Sequence, residues 1–400
     1  MADVVQLLEN KKILIWGYGR EGKSTEAFLN RHCKSVSVDV FEGKREDFNE
    51  EDYDIIIKSP GIKMEEDHPK YYSQTELFLE QYRDRVIGIT GTKGKSTVSS
   101  MLYKVLKENS GKKVLLMGNI GLPCLDYFDE VTQDTLVVFE MSCHQLAHTN
   151  VSPHVAVFLN LYEEHLDYYG TLDIYFTAKS HIACYQKQGD YFFVGENVPA
   201  IPCEGRVKVM PYDFSRRYEL QILGEQNQYN AGIVYEIATE IFGCDEEGVR
   251  ESLRTFTGLP HRLQPVGVYG GVRYYDDSIS TIPEAAINAV KSIPDVGTII
   301  IGGMDRGIDY TLLEEFIRTR EDVNFICAYD TGKRIYDTVS GCRNVYWVED
   351  LKDAVAMAHR LTLSGKACVL SPAAASYGYF KNFEERGDVF RELVEALEMC

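Results

Sequence analysis

Short apolar runs that end in glycine-rich turns recur along this chain, each followed by a stretch with apolar residues three and four apart. The clearest case is "VIGITGTKGKSTVSSML", Val86 to Leu102. "VIGIT" reads as a buried strand, and Val98, Met101, Leu102, Val105 and Leu106 repeat as on a helix with one apolar face. Gly88, Gly91 and Gly94 punctuate the turn, with Thr92 and Lys93 between them and Lys95, Ser96 and Thr97 after. A glycine turn between strand and helix offers an anion free backbone N–H groups and the positive end of the helix dipole. Lys95 adds a point charge for outer phosphates, and Ser96 or Thr97 a hydroxyl for Mg²⁺. The common phosphate loop has four residues between its glycines, whereas five separate Gly88 from Gly94 here. Three glycines in step before Lys-Ser-Thr are more than an incidental turn needs, so the pattern points to a different subfamily of nucleotide sites.

The same alternation predicts an α/β protein of three domains. Residues 1–85 read as a Rossmann-like unit, with strands in "KKILIWG", "SVSVDVFE" and "YDIIIKSPGI". Gly17, Gly19 and Gly22 stand in G-x-G-x-x-G order, which suits NAD and equally any pyrophosphate, including that of a UDP-sugar. Asp39 falls where a ribose or base contact is expected; it reads equally as a solvated strand end. Residues 86–257 read as a central P-loop ATPase-type domain with a mostly parallel sheet. Its strands "KKVLLMGNIG", "TLVVFEMS" and "VAVFLNLYEEHLD" end in polar residues, and ligands bind beyond the carboxyl ends of such strands. Asn119, Glu140 and His165 fall there. Glu140 is placed like a Mg²⁺-holding carboxylate, or is a plain strand end; Glu163 and Glu164 read as solvated. Cys143 and His144, taken as strand neighbours facing opposite sides, read as packing residues rather than as nucleophile and base. Residues 258–400 read as a C-terminal Rossmann-like domain, its start marked by Gly258, Pro260 and Pro265.

Bulk composition narrows the field. Four hundred residues exceed one ordinary core. No apolar run is long enough to span a membrane, and the first residues lack a basic-then-apolar signal pattern, so a cytoplasmic protein is expected. Ten cysteines without any C-x-x-C suit a reduced compartment. A net charge of −19 argues against a nucleic-acid partner.

Taken in order, "GITGTKGKST", "GNIGLP", "EMSCHQL", "EEHLDYYGTLDIYFTAK", "GEQNQYNA", "GLPHRLQPV", "DDSISTIPEA", "GGMDRGIDY" and "SPAAASYGYFKNFEERGDVF" resemble the Mur ligase family, nearly end to end. Within it the likeness is greatest to the branch that adds D-glutamate to UDP-N-acetylmuramoyl-L-alanine, in peptidoglycan precursor synthesis. The resemblance implies an ADP-forming amide ligase working through an acyl phosphate, with ATP and two Mg²⁺ sites, acting on small molecules, with a monomer expected. It implies catalytic roles for Lys95, Glu140, His165 and Lys179. Ser96, Glu140 and His165 would hold Mg²⁺ together with Lys179, which in the family is carbamylated; without the resemblance Lys179 reads as a helix-surface lysine. ATP would lie against Gly91 to Thr97, Asn227, Asn230, Arg262 and Asp277. The UDP-linked substrate would lie against Gly19, Arg20, Glu21, Gly22, Asp39, Ser59, Pro60, Gly61, Asn119 and Gln145. Glutamate would meet Thr281, Arg306, Ser376 and Phe383.

The chain departs from the family pattern at Lys93, usually Asn, at Glu164, usually Asp, and at Ile279, where a lysine is expected. Residues 188–221 are also short. Losing a lysine at 279 leaves an L-glutamate-adding relative open. Other readings are a Rossmann oxidoreductase, another Mur or folylpolyglutamate-type ligase, and a non-catalytic nucleotide-binding regulator.

Overall fold

The computed structural model describes residues 3–64, 68–213, 215–222 and 224–399. They form two compact units, residues 1–219 with 228–254, and residues 220–227 with 255–400. The two segments expected to be separate at residues 85/86 therefore pack into one unit, although each keeps its own sheet.

In the first unit, β1 (Lys12–Trp16), β2 (Ser37–Phe41), β3 (Ile55–Lys58) and β4 (Tyr71–Tyr72) make a four-stranded parallel sheet in the order β2-β1-β3-β4. The chain leaves β1 to one side and returns for β3 on the other. The loops after β1 and β3 thus diverge and leave a crevice between them. The second sheet is also parallel. It contains β5 (Val86–Thr90), β6 (Lys113–Gly118), β7 (Thr135–Glu140), β8 (Val155–Phe158), β9 (Tyr191–Gly195) and β10 (Arg206–Met210), in the order β10-β9-β8-β5-β7-β6. Its reversal of order falls at β5, flanked by β7 and β8. The helix Lys95–Asn109 follows β5, and the five apolar residues of its predicted face are all fully buried.

The second unit has β11 (Gln264–Tyr269), β12 (Val272–Asp276), β13 (Val296–Gly302), β14 (Asn324–Ala328), β15 (Val345–Val348) and β16 (Ala367–Leu370), in the order β11-β12-β16-β13-β14-β15. Only β11 with β12 is antiparallel. Order reverses between β13 and β16, so the loops after these two strands open a third crevice. The apolar sides of β13, β14 and β16 supply the core: Ile299, Ile301, Phe325, Cys327 and Val369 are fully buried.

Strands β4, β9, β10 and β11 are not among those read from the sequence, whereas "GVRYYDDS", "GTIIIGGMDRG", "NFICAYD", "NVYWVED" and "KACVLSP" fall on β12 to β16. "YFFVG" carried the β9 signal in plain sight, while β10 and β11 are sheet-edge strands with mixed polarity.

Candidate active site

The phosphate loop is shorter than its glycine spacing suggested. Gly88 lies inside β5, where an added Cβ would stand 2.7 Å from Pro153 and 2.9 Å from the Met141 sulfur, so it serves sheet packing. The turn proper is Gly91-Thr92-Lys93-Gly94. Gly94 caps the following helix at φ +86, a left-handed conformation that favours glycine, and it has no side chain to occupy the first-turn N–H groups.

Around this turn the first unit gathers an unusual set of charges. Lys95 curls back, its Nζ donating to the carbonyls of Gly91 at 2.9 Å and Thr92 at 3.1 Å. Burial lowers its pKa, while Glu140 and Glu164 oppose that shift. Lys179 is 1% exposed, correcting the helix-surface reading. Its Nζ donates to the Gly91 carbonyl at 3.0 Å and lies 3.3 Å from Thr90 Oγ1. Burial first, and then the neighbouring Lys95, push its pKa down to about 7. Two ammonium groups thus share one carbonyl, that of Gly91.

Glu140 ends β7 and is 1% exposed. Its Oε1 accepts from Asn119 Nδ2 at 2.7 Å, whereas its buried Oε2 has no partner. A buried carboxylate oxygen without a hydrogen bond is costly unless something else neutralises it, and a divalent cation does so. His165 is not at a strand end: β8 stops at Phe158, and His165 caps the helix Leu166–Tyr169 at φ +57. Partial burial holds its imidazole below the usual range; Glu164 opposes this, and His144, Lys179 and Lys95 add to it. Among the described residues no three His, Cys, Asp or Glu side chains converge into a closed metal cage. The available donors are one carboxylate, one imidazole, the half-buried Ser96 and Lys179, a set that suits Mg²⁺ only with oxygens from phosphate and from a modified lysine.

A cavity of about 550 Å³ opens from this cluster to the crevice of the first sheet. Gly19, Arg20, Glu21, Ser59, Pro60, Gly61, Asn119, Gln145, Lys95, His165 and Lys179 all line it. The turn after β1 is built by close approach. A Cβ on Gly22 would stand 2.2 Å from the Gly17 carbonyl oxygen, whereas one on Gly19 would meet nothing within 4 Å. Glu21 is held by Gln145, whose Nε2 donates to its Oε1 at 3.0 Å. Burial raises the Glu21 pKa, opposed by Gln145, Arg20 and Lys58. Asp39 lies elsewhere. It stands mid-strand in β2 opposite Leu14, 3.8 Å from Lys12, and does not line the cavity. Cys143 and His144 begin a short helix rather than sharing a strand; Cys143 Sγ lies 3.4 Å from His144 Nδ1, and both line the cavity.

Asn230, 1% exposed, stands behind the phosphate loop, its amide 3.2 Å from where a Gly94 Cβ would be. Asn227 belongs to the second unit.

In the second unit Arg262 precedes β11, Asp277 and Thr281 follow β12, and Phe383 begins the helix Phe383–Glu395. Arg306 is exposed on the loop after β13, and Ser376 is buried on the loop after β16. A bridge joins these loops, the Met304 N–H donating to the Ala375 carbonyl at 2.9 Å. Asp277 is 3% exposed and accepts from Ser280 Oγ at 2.5 Å, Ser371 Oγ at 2.7 Å and the Leu263 N–H at 3.1 Å. Burial pushes its pKa up to about 6 despite these donors. Arg262 is exposed, and Thr281 and Phe383 are half-buried.

What fixes this half of the site was not singled out from the sequence. Arg386 is 1% exposed and donates to Ser278 Oγ at 3.0 Å, the Ser278 carbonyl at 2.8 Å and the Ala374 carbonyl at 3.0 Å. Ser278 Oγ in turn donates to the Phe383 carbonyl at 2.8 Å. His261 Nδ1 and Asp276 Oδ2 are paired at 2.7 Å, both buried. The usable signal was helical spacing: Arg386, Phe390 and Val394 fall on one buried face of the helix Phe383–Glu395.

Comparison with known proteins agrees with this geometry. The profile of the Mur ligase middle domain matches residues 89–202, which include the phosphate loop, Glu140, His165 and Lys179. The chain is 31% identical over 427 residues to the UDP-N-acetylmuramoylalanine–D-glutamate ligase of Aquifex aeolicus, covering 96% of this chain and 98% of that one. It is 29% identical to the ligase of the same name from Oenococcus oeni, covering 98% of each chain. In fold it is similar to the MurF ligase of Thermotoga maritima in complex with ADP, at TM-score 0.60, 15% identity and 99% coverage of both chains. A phosphate loop of this spacing, the buried Lys179 beside it and a likeness running from end to end have one explanation: the chain belongs to the Mur ligase family.

Proposed function

We propose that this protein is an ATP-dependent, ADP-forming ligase that joins D-glutamate to UDP-N-acetylmuramoyl-L-alanine in the cytoplasm, as a step in making peptidoglycan precursor. The full-length relatives carrying that name support the substrates. The observation that most supports the chemistry is the pairing of Lys95 and Lys179 on the Gly91 carbonyl, beside a buried Glu140 oxygen without a partner.

In this reading the substrate carboxylate oxygen attacks the γ-phosphorus and ADP leaves. The glutamate nitrogen then attacks the acyl carbon, phosphate departs, and the nitrogen loses its proton. Phosphoryl transfer of this kind depends on positioning and charge neutralisation. Lys95 supplies charge once the phosphates replace the loop carbonyls as its partners. Glu21, Gln145, Asn119 and the Gly19 turn position the UDP-linked substrate along the cavity. Ser96, Glu140, His165 and a carbamylated Lys179 are the residues that would hold Mg²⁺, which supplies charge neutralisation to the transferring phosphoryl group. Carbamylation needs a neutral amine: the lysine nitrogen bonds to the carbon of CO₂ and a proton leaves. A Lys179 with a pKa near 7 is neutral often enough for this at physiological pH. Arg306 would fork onto a glutamate carboxylate, with Thr281, Ser376 and Phe383 meeting the rest.

The test is ADP formation on incubating the protein with ATP, Mg²⁺, UDP-N-acetylmuramoyl-L-alanine and D-glutamate. Omitting either acceptor or amino acid should abolish it. ADP release indifferent to both would mean a different nucleotide-using protein.

A further inference from the structure

The phosphate loop is held by a strap as well as by its own strand. Residues 159–165, which follow β8, run beside it. Asn160, fully buried, accepts from the Lys93 N–H through Oδ1 at 2.8 Å and donates through Nδ2 to the Lys93 carbonyl at 3.0 Å. Its carbonyl accepts from the Thr92 N–H at 2.9 Å. Thr92 Oγ1 accepts from the Tyr162 N–H at 3.0 Å, and Asn197 Nδ2 donates to the Leu161 carbonyl at 2.9 Å. These bonds fix residues 160 to 162. Beyond them the link is ionic, Lys93 Nζ to Glu164 Oε1 at 2.8 Å.

Glu164 immediately precedes His165, whose backbone sits at φ +57. The His165 carbonyl caps the helix Leu166–Tyr169, so the tether at Glu164 lies one residue before the strap turns into helix. Lys93 reaches the end of the strap through its pair with Glu164, the residue before His165. The structure places Lys93 and Glu164 on each other.

We infer that Lys93 and Glu164 act as one unit that fixes where His165 stands over the phosphate loop, with Glu164 as a positioning residue. The inference rests on the ligase reading only for what His165 is used for. The pair is part-exposed, with side chains 65% and 32% accessible, so its effect is modest. Exposed ion pairs of this kind correspond to about two- to fivefold in an equilibrium or rate.

The test uses the full chain labelled with ¹³C-histidine, free of metal and nucleotide, at one fixed pH. His165→Gln identifies the His165 resonance by its loss. Lys93→Met should move that resonance in the wild-type background and leave it unmoved in a Glu164→Gln background. Lys93→Arg, which keeps the charge, should leave it in place. ADP formation should fall about two- to fivefold in each single variant and no further in the double. Lys93→Met leaving the resonance unmoved, or losses that multiply in the double variant, would overturn the inference. A wild-type protein forming no ADP would sink the ligase reading instead, and the resonance experiment would still judge the pair.

Discussion

Lys95 could be picked out in the sequence because its signal is local: a lysine directly after a glycine turn points to a phosphate. Lys179 could not, because what buries it comes from far along the chain. Its partners Thr90 and Gly91 lie 89 and 88 residues earlier. Lys95→Ala should nearly abolish ADP formation while the thermal melt stays close to wild type; full turnover in a folded variant would remove Lys95 from the mechanism. Lys179→Ala should be nearly inactive and partly restored by acetate or formate in solution, since a small carboxylate replaces the two oxygens of a carbamate. Asp277 makes the pH prediction. Its pKa rises from 3.8 to about 6 on folding, so between those values the folded chain binds more protons than the unfolded one. Its contribution to stability is full below pH 3.8 and lost as pH rises through 6. Asp277→Asn should flatten the melting profile across that window, and an unchanged profile would show that its donors, not burial, decide its charge.

The predicted order of strand, glycine turn and helix held at the two turns that matter most, because glycine and apolar periodicity are local signals. The Gly91–Gly94 turn and the turn at Gly17–Gly19, with Gly22 in the first turn of the helix Arg20–His32, both appear where expected. Gly88 misled because a glycine packed against a proline and a glycine in a loop look alike in sequence. Asn160 was passed over because one asparagine after a strand carries no pattern; its role depends on the backbone of a turn 67 residues away. Two variants separate packing from binding in the first turn. Gly22→Ala should lower stability by about 1–3 kcal/mol, as overpacking does, because its Cβ collides with the Gly17 carbonyl. Gly19→Ala should melt like wild type yet raise the KM for the UDP-linked substrate. Equal melting losses in both would mean that neither glycine faces a ligand.

The described residues hold three sheets, each with a crevice where strand order reverses, and the motifs alone pointed to three α/β segments. Sequence did not resolve that the first two sheets pack as one unit, since the contacts that join them, such as Gln145 with Glu21, span 124 residues. Nor did it resolve which member of each C-terminal motif is structural: in "PHR" and "DDS" the buried His261 and Asp276 build the scaffold beside Arg262 and Asp277. Arg306 is exposed, so Arg306→Ala should leave the melt unchanged. It should raise the KM for glutamate by a charge-assisted bond's worth, about 1.5–3 kcal/mol, with the KM for ATP unaltered. ADP release with UDP-N-acetylmuramoyl-L-alanine and a panel of amino acids decides both the reaction and its amino-acid substrate. Turnover with D-glutamate should stand well above that with L-glutamate or any other amino acid. Faster turnover with L-glutamate would contradict the substrate assignment, and no turnover with any amino acid would contradict the ligase itself.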